Sequence, residues 1–169
     1  MLELFNKLLN LKKLEMKEGE IKLLGTSLCL IPPHVYVLLL KELKNMKKEQ
    51  IIYESSKMSS LRWFANLTKN MGKKSRYEIL ELSLKILNLL GLGEIKMEKQ
   101  SEKNTEFSLS YSLTADLWGK NKTPVDYQMS GFLAGLLELV NGKAVVCKEI
   151  KCMSQGNKNC YFIIKEDIV

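Results

Sequence analysis

Apolar positions recur at helical spacing through the first half of the chain and alternate with polar ones in much of the second. Leu2, Phe5, Leu8 and Leu9 mark a short amphipathic helix. Two strand-length pieces over 14–24 flank Glu18-Gly19 as a small hairpin, and 27–31 adds a third extended piece. Pro32 holds Ile31 away from helical angles, and Pro33 suits the first turn of a helix running to about Asn45. Its predicted apolar face is Val35, Tyr36, Leu39, Leu40 and Leu43. A longer helix is predicted over 48–71, with a stripe of Ile51, Met58, Leu61, Ala65 and Thr68. Small residues at Ser55, Ser56, Ser59 and Ser60 allow close backbone approach or leave room for a ligand. Ser75 and Glu78 have capping-box spacing and open a helix that Gly91 ends; its leucines fall on nearly all sides, as expected of the spine of a core.

The second half begins with a predicted hairpin, Glu94–Gln100 and 106–113, turning around 101–104. A loop over 114–122, carrying Trp118-Gly119, leads to a helix followed by a second hairpin. Thr123 can cap that helix, Pro124 suits its first turn, and Asn141-Gly142 supplies a left-handed exit. Gly131 and Gly135, four apart, are predicted to seat it closely on the sheet. Val145, Val146 and Ile150 favour a strand over 143–151, and 160–165 is its partner across the turn-rich loop 153–159. Because that loop centres near Gly156, Cys152 and Cys160 are predicted to face each other across the ladder. The element order gives an α+β fold: an antiparallel sheet of about four strands packed against several helices, with an N-terminal helix and a small β-ribbon.

Length and composition fit a single domain over 1–169, since 46% apolar residues suffice for a core. A net charge of +7 raises the question of nucleic acid, yet only Arg62 and Arg76 are arginines, and the lysines alternate with glutamates as on a solvated surface. No nucleic-acid partner is expected. The apolar runs are too short for a membrane span. With no basic leader at the start and four cysteines, thiols in a reducing, cytoplasmic setting are expected. His34 is the only histidine and follows Pro33 at a helix start, so no nucleophile–base pair assembles and no catalytic residue is assigned.

Cys152 and Cys160 are the strongest pair: metal ligands, a cross-strand disulfide or two small buried hydrophobes. The motif G-F-x-x-G at 131–135, followed by E-x-x-C-x-x-x-G-x-x-x-C-x-F from Glu149 to Phe162, resembles the vinyl-4-reductase-type domain. That small-molecule-binding module also occurs in phenol-sensing bacterial activators and, without the same metal pattern, in related trafficking subunits. The likeness is specific over 124–164 and looser upstream, where it rests on I-P-P at 31–33 and the order of elements. In the phenol sensors the Glu and two Cys of this frame join an earlier Cys in binding zinc. The resemblance therefore implies Glu149, Cys152 and Cys160 as ligands, with Asp126 standing where the family has Cys.

Each of these residues has a competing reading. Strand alternation points Glu149 away from Cys152, so ligation needs a bulge or early turn near 150–151. Asp126 also completes a capping-box pattern from Thr123, where the helix dipole stabilises a carboxylate. Cys147 shares a strand face with Glu149 and is the reserve ligand or a pocket-lining thiol. Trp63, Tyr111, Tyr127 and Phe132, with Cys147, are expected to line an apolar cavity. The resemblance implies non-catalytic binding of a small apolar or aromatic molecule or lipid, with a structural zinc. It also implies a homodimer, for which 1–31 would be the association element and 32–169 the ligand-binding core. The alternatives are a reductase-type enzyme or accessory subunit acting on a vinyl-bearing tetrapyrrole, for which no cofactor fingerprint is present, and a scaffolding subunit of trafficking type.

Overall fold

The computed structural model describes residue 6 and residues 13–69, 75–101 and 104–167. The helix predicted from Leu2 to Leu9 therefore lies outside the described residues. β1 (Leu14–Lys17), β2 (Glu20–Leu23) and β3 (Thr26–Leu28) form an antiparallel ribbon separate from the main sheet, turning at Gly19 with φ of +74°. α1 (Pro33–Asn45) follows, with Pro32 at its N-cap position. It buries Val37 and Leu40 and exposes Val35 and Leu39, so its inner face is rotated from the predicted one.

α2 (Glu49–Lys69) is similarly rotated. It buries Ile52, Ser56, Ser60, Phe64 and Leu67, whereas Ile51 and Met58 of the predicted stripe are exposed. The cause is α5 (Tyr127–Asn141), which packs along α2 through Gly131 and Gly135. A Cβ at Gly131 would run into Tyr53 O and lie 2.8 Å from Ser56 Cβ; one at Gly135 would run into Lys57 O and lie 3.0 Å from Ser60 Cβ. The glycines thus seat α5 on α2 rather than on the sheet. Ser60 Oγ donates to Phe132 O at 2.7 Å across the same contact. Small residues win the buried side here because backbone approach excludes larger ones.

α3 (Arg76–Leu89) opens with the predicted capping box: Ser75 N–H donates to Glu78 Oε2 at 2.8 Å, and Glu78 N–H donates to Ser75 Oγ at 3.2 Å. The spine of the core is nevertheless α5, buried at Met129, Leu133, Leu136, Leu137 and Val140, with α2 on one side and the main sheet on the other. That sheet holds β4 (Glu94–Gln100), β5 (Asn104–Ser110), β6 (Val145–Lys151) and β7 (Cys160–Glu166), all antiparallel, in the order β4-β5-β7-β6. Ile95 pairs with Leu109 and Phe107 with Phe162, placing large buried side chains in register.

Two boundaries differ from expectation. β5 stops at Ser110 because Tyr111 turns at φ of +56° and Ser112 caps α4 (Leu113–Trp118), its hydroxyl accepting from Ala115 N–H at 3.0 Å. The first part of the predicted loop 114–122 is therefore helical. α5 begins at Tyr127 with Asp126, not Thr123, at the N-cap position; Gly142 makes the left-handed exit with φ of +69°. None of the helices among the described residues is long and apolar enough to cross a membrane.

Candidate metal centre and neighbouring grooves

Four side chains from three stretches of sequence converge where the β6–β7 hairpin meets the start of α5. β6 pairs Glu149 with Phe162 and Lys151 with Tyr161, so Ile150 is an extra residue in the strand. This bulge turns Glu149 and Cys152 to the same side, since alternation resumes one residue later. Cys152 then opens a 3₁₀ turn, Met153–Gln155, where its N–H donates to Gln155 Oε1 at 3.1 Å and Gly156 adopts φ of +90°. Cys160 begins β7, and its Sγ lies 3.7 Å from Cys152 Sγ, the two being free thiols.

Asp126 enters from the segment before α5 without capping it. Its Oδ2 accepts from Ser112 Oγ at 2.6 Å and lies 3.3 Å from Cys160 Sγ, while its N–H donates to Glu149 Oε2 at 2.9 Å. Ser154 Oγ donates to Cys152 Sγ at 3.1 Å, and Met153 N–H to Cys160 Sγ at 3.3 Å. One ligand atom from each of Asp126, Glu149, Cys152 and Cys160 lies within 4.8 Å of the others, and all four residues are buried.

Acid groups gathered in such a place resist full ionisation. Burial raises Asp126 to about 6, and burial together with the Asp126 charge raises Glu149 to about 9. The hydrogen bond between the thiols lowers Cys152 to about 5 and pushes Cys160 up. Glu149 Oε1 is buried with no hydrogen-bond partner among the described residues. An unpartnered carboxylate oxygen in the interior is costly, and a cation among the four groups would satisfy it while replacing shared protons. The arrangement can hold a metal ion.

Two grooves flank α2. One, about 640 Å³, lies between the ribbon, α2 and α5, with Leu28, Met58, Trp63, Leu90 and Phe132 as its apolar lining. The other, about 530 Å³, lies between α2, the start of α5 and β6, and includes Tyr53, Tyr127, Cys147 and Glu149.

Residues 105–166, which contain all four clustered side chains, match the vinyl-4-reductase-type domain. The uncharacterized protein MJ1460 of Methanocaldococcus jannaschii is 30% identical over 145 residues, covering 73% of this chain and 90% of the relative. The chain belongs to the vinyl-4-reductase-type domain family. The phenol-responsive sensory domain of the transcription activator PoxR, solved with phenol, shares this fold at a TM-score of 0.81 and 19% identity, over 95% of this chain and 89% of that one. A trafficking protein particle complex subunit 3 from Naegleria fowleri, covalently bound to palmitic acid, superimposes at a TM-score of 0.59 and 14% identity, over 80% of this chain and 95% of that one.

Within this vinyl-4-reductase-type fold the single aromatic cavity expected from sequence is divided. Trp63 and Phe132 border the first groove, Tyr127 and Cys147 border the second, and Tyr111 is 80% exposed and lines neither. Tyr111 moves outward because the chain reverses at its positive φ instead of continuing β5. Cys147 stays outside the four-residue cluster; burial pushes its thiol up, and its N–H donates to Tyr53 Oη at 3.1 Å. Ser112, Ser130 and Ser154, which bond the clustered groups, were missed from sequence. Of these only Ser112 left a signal, as a serine three residues before Ala115 at the mouth of a short helix. Sequence reasoning also passed over Arg62 and Asn66, which line the first groove beside Trp63.

Proposed function

We propose that this vinyl-4-reductase-family protein binds a small apolar or aromatic molecule, or a lipid, in the groove of Trp63 and Phe132 without transforming it, and that zinc fills the Asp126–Glu149–Cys152–Cys160 cluster as a structural ion. The observation that carries this reading is the separation of the two places. The cluster is buried and supplies four ligands from the chain itself, the mark of a structural rather than an open catalytic site. The groove is open and carries Leu28, Met58, Leu90, Trp63 and Phe132. Thiolate sulfur selects zinc over magnesium, calcium or manganese. An ion bound by these residues would tie the β6–β7 hairpin to the entry of α5, and Ser112, Ser154 and Met153 N–H would orient the ligand atoms. The shared fold of the phenol-bound PoxR domain supports a small molecule as the occupant. We further infer a homodimer, supported by the apolar residues that α1 turns outward.

Calorimetry with phenol and with 1-decanol tests the groove. Saturable binding by at least one is expected, and Ser59→Trp, which fills the groove from an exposed position, should abolish it. Binding by neither compound, or undiminished binding by the variant, would refute the reading.

A further inference from the structure

The first groove has a polar side that the reading above leaves unused. Ser55, Ser59, Arg62, Trp63 and Asn66 of α2 recur at spacings that place them along one side of the helix, and all five line the groove. No Asp, Glu or Lys is among its described lining residues, and Arg62 is one of only two arginines among 26 basic residues. Elsewhere on the surface cations meet carboxylates, as in Lys57 with Glu138, Lys85 with Glu81 and Lys143 with Glu166. Among the described residues Arg62 has no ion pair, and neither it nor Asn66 makes a side-chain hydrogen bond. Trp63 Nε1 is a buried N–H donor without an acceptor. A buried donor of this kind is costly unless a ligand supplies the acceptor.

From this arrangement we infer that the groove takes an amphiphile ending in a carboxylate. The inference rests on the proposal that this groove is the binding site, and it names the class of occupant. Leu28, Met58, Leu90 and Phe132 receive the apolar body. Arg62 offers a planar fork that matches a carboxylate in two parallel hydrogen bonds. Trp63 N–H and the Asn66 amide add neutral donors, so the site presents one positive charge and suits a monoanion. A phosphate head, with nearly twice the charge, would leave charge unmatched beside a single arginine.

Calorimetric titration of the full chain with decanoate, 1-decanol and decyl phosphate, each below its micellar concentration at about pH 8, separates the possibilities. Decanoate should bind at least about tenfold more tightly than 1-decanol, the scale of a charge-assisted hydrogen bond. Arg62→Gln should erase that preference while leaving 1-decanol affinity unchanged. Trp63→Phe, which keeps an aromatic ring and removes the N–H, should weaken decanoate several-fold more than 1-decanol. Because Arg62 is exposed, its variant should fold, and unchanged 1-decanol binding would verify this. Equal affinities for the alcohol and the acid, or a preference that survives Arg62→Gln, would overturn the carboxylate and leave the groove reading standing. Tighter binding of decyl phosphate than of decanoate would overturn the carboxylate in favour of a phosphate head. Binding by none of the three would overturn both.

Discussion

At the residue scale, Asp126 shows how one side chain can be claimed by two local rules. Its place ahead of α5 suits capping, yet its side chain leaves the helix unbonded and turns to Ser112 and Cys160. Burial raises its pKa from 3.8 to about 6. A group raised on folding stabilises the fold fully below the unfolded value, and that contribution is lost as pH rises through the folded value. The rise of Glu149 to about 9 and the fall of Cys152 to about 5 act in opposite directions over the interval they share, which leaves Asp126 to set the slope. Metal-free protein should therefore lose melting temperature as pH climbs from about 4 to about 6.5, and Asp126→Asn should flatten the trend. A flat profile for the unaltered protein would contradict this. Zinc should restore more at higher pH, since its ligands must shed protons to bind. Either Cys152→Ser or Cys160→Ser should abolish stoichiometric zinc by elemental analysis. Asp126→Asn should weaken binding less, and Asp126→Cys should tighten it.

At the scale of elements, two devices hold the site: a bulge in β6 and a glycine-to-serine contact between α2 and α5. Gly131→Ala or Gly135→Ala improves helix propensity by up to about 1 kcal/mol, but the added methyl meets the α2 backbone at Tyr53 O or Lys57 O. Overpacking of this kind costs about 1 to 3 kcal/mol, so denaturant unfolding should show a net loss for each. A gain in stability would mean that the helices separate freely. Phe132 is half-buried at the groove whereas Phe107 is fully buried. Phe107→Ala should lose the usual 3 to 5 kcal/mol or so for a core phenylalanine. Phe132→Ala should lose clearly less while weakening 1-decanol binding, and equal losses with unchanged binding would place Phe132 in a plain core. The buried face of α2 was illegible beforehand because Ser56 and Ser60 carry no apolar signal; only the partner helix makes them interior.

For the whole molecule, α1 leaves Val35, Leu38 and Leu39 each 59% exposed, adjoining Leu30 at 79%. Light scattering at micromolar concentration should return about twice 19.4 kDa, and Leu38→Glu with Leu39→Glu should lower it to one chain without unfolding, because neither side chain is buried. A single-chain mass for the unaltered protein would remove the dimer. By itself the sequence determined the order of helices and strands, the Ser75 capping box, the left-handed exit at Gly142 and the opposition of Cys152 and Cys160, because these depend on contacts within a few residues or across one symmetric loop. The family frame singled out Asp126 and Glu149 beside them. Tertiary structure alone decided that Ile150 bulges to aim Glu149 inward, that α5 rather than α3 is the spine, and that the expected cavity is two grooves with Tyr111 outside both. Each of those outcomes turns on which distant surface approaches a residue, and a strand's alternation or a helix's stripe carries no record of its partner.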